Sequence, residues 1–187
     1  MSISERRQRE LAQRAELIVD AARELAEEQG WDAVTTRRLA ERVEYSQPVL
    51  YSHFAGKDAI VDAVAVAGIE ELTQRLRAAG VGAKPGRDAV GRAARAYLAF
   101  AVDHPAVYQA MFTMSTGLPF ATDEAPDSLK ESFAELSKVM NPAAGDLGSL
   151  TEVFWATLHG IAVLVATGRM RLEHQEQRIA IVLDLFG

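Results

Sequence analysis

The chain is predicted to be all-α: three short-spaced N-terminal helices, then a long helix leading into a helical C-terminal half. Three observations predict it. Apolar residues recur at alternating steps of four and three, the stripe of a helix resting on a core. No segment shows the strict alternation of a half-buried strand. Glycine- and proline-bearing breaks, at Gly30, Gly56, 79–88 and 115–126, separate the periodic stretches.

The first helix carries Leu11, Ala15, Ile18, Ala22 and Leu25 on one face and ends at "EEQG", where Gly30 suits a left-handed C′ position. "WDAVTT" connects it to a second helix, for which Thr35 is a good N-cap, running to about Val43. Ser46 is placed to cap a third, very short helix with Pro48 in its first turn. Gly56 breaks the chain again, and a long helix is expected from Lys57 to about Ala79. "AGVGAKPGRD" (79–88) separates two helical patterns with three glycines and a proline. Beyond it the spacing predicts helices near 87–103, 105–114, 126–140, 147–168 and 173–186, with a loop "STGLPFATDEAP" at 115–126.

Composition narrows the function classes. The 187 residues include no cysteine, which excludes disulfides, thiolate zinc sites and a thiol nucleophile. The charged N-terminus lacks an apolar signal core, and no run of about 18 apolar residues appears, so no segment is expected to span a membrane. A soluble, cytoplasmic protein is the expectation. Net charge is −6, yet its distribution matters more than its sum. Bases bunch at Arg6, Arg7, Arg9 and Arg14, and again at Arg37, Arg38 and Arg42. An enzyme is not expected: there is no phosphate-cradling glycine loop, no Glu-x-x-His pair and no Gly-x-Ser-x-Gly. His53, His104, His159 and His174 are scattered without metal-ligand spacing, and no cofactor is implied.

Helices two and three, joined only by Val43–Tyr45, have the layout of a helix-turn-helix, in which one helix braces and the next enters the major groove of DNA. Leu50 and Phe54 are four apart and can face inward against Leu39 and Val43. Gln47, Pro48, Val49, Tyr51, Ser52 and His53 are then left outside. Gln can bond adenine edges, Val or Pro can touch a thymine methyl, and Tyr, Ser and His can donate to phosphates. Spacing alone leaves a second reading open, a small satellite bundle whose Tyr51 and His53 seal a core edge.

The stretch "IVDAARELAEEQGWDAVTTRRLAERVEYSQPVLYSHFAGKDAIVDAV" (18–64) resembles the DNA-binding domain of tetracycline-repressor (TetR) family regulators. It joins an "AA..L....G" helix end, a "TT..LA" start and a "YSHFAGKDAI" block in the family's order. The resemblance implies backbone contacts from Thr36, Tyr51 and Lys57, with Arg37 and His53 as further candidates, and places Gln47, Pro48 and Val49 at the bases. Glu44 stands where the family usually has Gly, in a turn expected to be left-handed, at a cost of about 1 kcal/mol. Pro48 and Val49 replace a more usual small residue and Thr, which bears on base preference.

In the C-terminal half, Trp155, His159 and Gly160 are similar to the WHG-type regulatory domain of some TetR-family proteins. His159 has a plainer reading as a helix-interface histidine. "TEVFWATLHGIAVLVATGRM" (151–170) is apolar nearly all round, so both sides need a cover. Leu150, Phe154, Leu158, Ile161 and Val165 share one face, and Trp155, His159, Ala162 and Ala166 lie on roughly the opposite one. With Ile179, Val182 and Phe186, the helices 147–168 and 173–186 are expected to pair with a second copy in a homodimer. Aromatic and methionine side chains suggest an apolar pocket for a small hydrophobic effector, lined by Tyr97, Phe100, Met111, Phe112, Phe120, Trp155 and His159. The expected organisation is a DNA-binding domain over 1–60 and an effector-binding and dimerisation domain over 61–187. The expected function is a ligand-responsive repressor of palindromic operator DNA, with a helical adaptor that does not bind DNA as the alternative.

Overall fold

The computed structural model describes residues 2–114, 117–119, 122, 124–143 and 145–187. Among the described residues there are nine α-helices, two short 3-10 turns and no strand. The helices are α1 (Ile3–Gln29), α2 (Thr36–Arg42), α3 (Gln47–His53), α4 (Lys57–Gly80), α5 (Arg87–Asp103), α6 (Pro105–Phe112), α7 (Asp127–Lys138), α8 (Leu147–Ala166) and α9 (Gln175–Phe186). By packing, the chain divides into two compact units, Met1–Gly68 with Ala106–Leu118, and Ile69–Pro105 with Pro119–Gly187.

In the first unit, α1 starts with a capping box: Ser2 accepts from the Glu5 N–H while Glu5 reaches back to the Ser2 N–H. Its expected stripe is buried only from Ile18 onward. Leu11 is 45% exposed, and its described neighbours from Ser4 to Arg14 are exposed as well. Thr35 caps α2 as expected, accepting from the Arg38 N–H at 3.2 Å. Ser46 occupies the N-cap of α3, but its side chain makes no capping bond. Between them, Glu44 sits at φ 56°, the left-handed turn its position called for. The Tyr45 N–H reaches back to Ala40 O and the Glu44 N–H to Glu41 O, a Schellman closure with glutamate in glycine's usual place.

The same unit recovers α6 from far along the sequence. The Glu27 carboxylate accepts the Ala106 and Val107 N–H groups at 3.0 and 3.1 Å, satisfying two orphan donors of that helix's first turn. The Trp31 indole N–H donates to Ala106 O at 2.8 Å. Gly68 lets α6 approach α4 closely: a Cβ there would collide with Val107 and stand 2.8 Å from the Met111 sulfur. These contacts explain why packing joins 106–118 to the N-terminal unit, a grouping that the expected boundary at 60/61 did not include.

In the second unit α5 is the central helix, with α8 and α9 packed on it and α7 on α8. Tyr97, Phe100, Phe154 and Leu158 are fully buried there. Arg95 makes a forked pair with Glu176 across α5 and α9, and the Phe154 and Phe186 rings meet at 5.3 Å. The helix α8 ends two residues earlier than the spacing suggested, where Gly168 takes φ 69° and the Arg169 N–H closes on Leu164 O. The segment Leu172–His174 is a 3-10 turn, so α9 begins only at Gln175.

Two expectations about α8 and α9 are corrected. Ala162, Ile179 and Val182 do not face outward; all three are buried inside their own unit. The open face of α8 runs instead through Val153, Thr157, Gly160 and Leu164, and α9 leaves Ile181 and Leu185 at 60% and 67% exposed. Helical periodicity identifies apolar faces but not which one the chain itself covers. The second concerns the length of α8, whose apolar stretch is interrupted by polar residues. The helix is long and apolar enough to cross a membrane by length and composition, with a mean hydropathy of 1.5, and it is partly buried against its own unit.

Candidate nucleic-acid interface

The turn between α2 and α3 is braced from α1. Arg42 pairs with Glu28 at 2.7 Å and Glu24 at 3.0 Å, and these partners raise its pKa further while it holds Glu28 below the usual carboxylate range. Arg38 donates to Ala33 O at 3.1 Å and to Gln29 at 2.8 Å. Leu39 and Leu50 are fully buried between the helices, and Phe54 is half-buried at the end of α3. The inward set expected from the spacing is therefore the set that packs.

The outer face of α3 carries Gln47, Pro48 and Ser52, all exposed, with Val49 and His53 half-exposed. Tyr51 is 51% exposed, and its hydroxyl lies 3.4 Å from that of Thr36 at the start of α2. Whichever hydroxyl donates to the other, one O–H stays available to an outside acceptor, which is the chemistry a phosphate oxygen can use. The Ser52 hydroxyl is turned back onto Val49 O. The Lys57 ammonium, at the start of α4, donates to Trp31 O, and an ammonium has two further N–H groups to offer.

The basic edge suggested by Arg37, Arg38 and Arg42 is compensated locally. Arg37 bonds Glu41 at 3.0 Å, Arg42 bonds two glutamates, and Arg38 is spent on backbone and amide oxygens. Arg37 is nonetheless highly exposed, and a surface pair of that kind is worth little and easily exchanged.

The expected pocket residues divide between the units. In the second unit the Trp155 indole N–H donates to the Tyr97 hydroxyl at 3.0 Å, and the Trp155 and His159 rings lie 6.3 Å apart. Burial lowers the pKa of His159 below the ordinary histidine value. Phe100 faces elsewhere, with Arg75 over its ring at 5.3 Å and His104 beside it. Met111 and Phe112 belong to the N-terminal unit, where Phe112 stacks edge-on with Tyr108. Phe120 lies outside the described residues. Two clefts of about 260 and 280 Å³ open in the second unit around Arg77, and none of the six described side chains lines either. The first is rimmed by Glu70, Asp127 and Glu131; the second is floored by Glu135, which bonds Arg77 and Lys138. Sequence spacing pointed to neither cleft, because each is assembled from α4 and a segment some fifty residues on.

Comparison with known proteins decides the family. The model for "Bacterial regulatory proteins, tetR family" matches residues 18–64, and that for "Tetracyclin repressor-like, C-terminal domain" matches residues 90–184, half of the chain. The chain belongs to the TetR family. An uncharacterized HTH-type transcriptional regulator of Mycobacterium tuberculosis is 31% identical over 157 residues, 83% of this chain and 71% of that protein. One from Bacillus subtilis is 35% identical over 94 residues, and the match spans 50% of this chain and 49% of its length. The class G tetracycline repressor protein of Vibrio anguillarum is 46% identical over 58 residues, 31% of this chain and 28% of that protein. A solved protein of unknown function from Rhodococcus sp. RHA1 shares the TetR fold, with a TM-score of 0.74 at 24% identity, covering 92% of this chain and 94% of that one. This TetR-family chain is accordingly a transcriptional regulator with a helix-turn-helix DNA-binding domain, a reading that replaces the helical adaptor.

Proposed function

We propose that this TetR-family regulator is a repressor that binds a palindromic operator as a homodimer and releases it when a small hydrophobic effector binds. The observation that carries the DNA half is the outer face of α3. Gln47, Pro48 and Val49 lead it, unobstructed, beside the paired Thr36 and Tyr51 hydroxyls. Residues 1–60 read the DNA: Gln47 to Val49 meet base edges, while Thr36, Tyr51 and Lys57, with Arg37 and His53, hold phosphates. Residues 61–187 bind the effector and dimerise.

Two reading heads about 34–36 Å apart are needed for a palindrome, and one helix-turn-helix supplies one. The open faces of α8 and α9 support a two-fold interface. Val153, Leu164, Ile181 and Leu185 offer apolar area, and at Gly160 a neighbouring helix can come close. For the effector, the second unit offers the Tyr97–Trp155 pair with His159 beside it, an apolar setting with polar tips. Tyr97 and Phe100 are fully buried, so an effector reaching them opens that packing, and this links binding to a change of state. The tetracycline repressor proteins, similar over the reading domain, support repression as the sense of the response. A chromosome-binding regulator works in the cytoplasm, and nothing in this role calls for catalysis.

The experiment is duplex selection from a random pool followed by binding at several salt concentrations. Lys57→Ala should weaken binding to all sequences and lower the salt slope by about one per protomer, whereas Gln47→Ala should change the preferred sequence. Unchanged affinity and slope for Lys57→Ala would refute its placement at phosphate.

A further inference from the structure

The helix α1 is two different objects along its length. Residues 3–14 hold four arginines and two glutamates; residues 15–29 hold one arginine and five acids. The acidic half is packed, and it is this half that neutralises Arg42. The basic half is exposed throughout its described side chains, from Ser4 to Arg14, and lies outside the stretch matched by the family's DNA-binding model, which begins at residue 18. Its sequence needs no tertiary partner to stay helical, being capped at Ser2 and rich in Arg, Gln, Glu, Leu and Ala.

Side-chain direction is what gives the arm a target. Arg7, Leu11 and Arg14 follow the spacing i, i+4, i+7, and Ile18, Ala22 and Leu25 continue the same stripe. That stripe is buried from Ile18 onward, on the helix that packs against α2 and α3. The two arginines therefore project toward the side of α1 on which the reading unit lies, beyond its edge, reaching about 16 Å from Ile18 at 1.5 Å per residue. Neither Arg7 nor Arg14 has a hydrogen-bond or ion-pair partner among the described residues, whereas Arg6 pairs with Glu10. The helix-turn-helix itself is short of such cations, since Arg37 and Arg42 are paired with glutamates and Arg38 is bonded inward.

From this, and resting on the proposed DNA-binding role, we infer that residues 3–14 form a helical arm that grips the phosphate backbone flanking the operator through Arg7 and Arg14. Duplex DNA is the occupant that fits. Its charge is complementary to the four arginines of residues 3–14, and the arm extends from the helix that packs against α2 and α3. Contacts of this type carry no base information; they add affinity and salt dependence.

The test uses the full chain and a duplex selected from a random pool, prepared with flanks and trimmed to the selected core. Arg7→Ala with Arg14→Ala should weaken binding to the flanked duplex on the order of tenfold near 0.15 M salt. It should also reduce the salt slope by about 3–4 for a dimer losing four arginines. Binding to the trimmed duplex should change little, and Arg7→Lys with Arg14→Lys should restore most of the slope. Removing two exposed charges elsewhere, Arg169→Ala with Arg171→Ala, is the control for net charge and should leave both quantities unchanged. The arm idea is overturned if the Arg7/Arg14 alanine variant binds flanked DNA with wild-type affinity and slope, or if the control variant loses as much. An acidic protein as the arm's true partner would produce the first of these results. If the wild-type chain selects no duplex at all, the DNA-binding proposal falls and the arm with it; if it selects one and only the arm variant is silent, the arm alone is refuted.

Discussion

Replacing Glu27 by alanine removes the carboxylate that accepts from two backbone donors in the first turn of α6. Both bonds are close to ideal, at 3.0 and 3.1 Å, and Ala106 and Val107 are buried, so water reaches their N–H groups poorly. A hydrogen bond to a charged group contributes about 1.5–3 kcal/mol, and an orphaned buried donor costs about 1–3 kcal/mol. Glu27 is half-exposed, which places the pair toward the lower end, and alanine returns a few tenths of a kcal/mol in helix propensity. The expected loss is about 3 kcal/mol. For a chain of this length that corresponds to a fall in Tm on the order of 6–12 °C. The assay is thermal unfolding followed by circular dichroism at fixed protein concentration, because dimer formation would make Tm concentration-dependent. Glu27→Gln keeps one acceptor oxygen and should lose about half as much. A fall of less than about 2 °C for the alanine variant would refute the view that this carboxylate holds α6 on the N-terminal unit.

Gly68→Ala is expected to act against its own helix propensity. Alanine in a helix interior normally gains about 1 kcal/mol over glycine, but here the new methyl meets Val107 and Met111, and overpacking costs about 1–3 kcal/mol. Tm should fall by a few degrees and recover in part when Val107→Ala is added; a rise for the single variant would show that α6 does not press on α4 as described. Gly160→Arg tests the interface: nothing lies within 4 Å of a Cβ at that position, so the protomer should keep its far-UV spectrum while a micromolar dimer becomes monomeric in sedimentation. A wild-type chain that sediments as a monomer would count against the α8–α9 pairing, and Ala162→Arg, which buries its charge inside the unit, should unfold the protein instead.

Much of the N-terminal half could be read from local chemistry. Thr35 as a cap, the turn at Val43–Tyr45 and the inward pair Leu50 and Leu39 all act between residues a few positions apart, and helical spacing makes such signals visible in a sequence. The left-handed Glu44 was legible for the same reason: the turn geometry is set by its neighbours, whatever residue occupies it. Other features have no local signature. The return of α6 to the N-terminal unit depends on Glu27 and Trp31 meeting Ala106, 75 to 79 residues away, and neither side carries a pattern that names the other. Periodicity likewise made α8 apolar on both sides, yet only the packing of α8 within its unit decided that Ala162 is covered and that space is left beside Gly160. The arginines of α2 looked like a basic edge, but Glu24 and Glu28 of α1 pair with Arg42, Glu41 pairs with Arg37, and Arg38 is bonded to Ala33 O and Gln29, leaving Arg7 and Arg14 as cations without a partner among the described residues. Local spacing sets which face of a helix a residue occupies; which faces are covered, and which charges are neutralised, follows from long-range packing that no single stretch of sequence encodes.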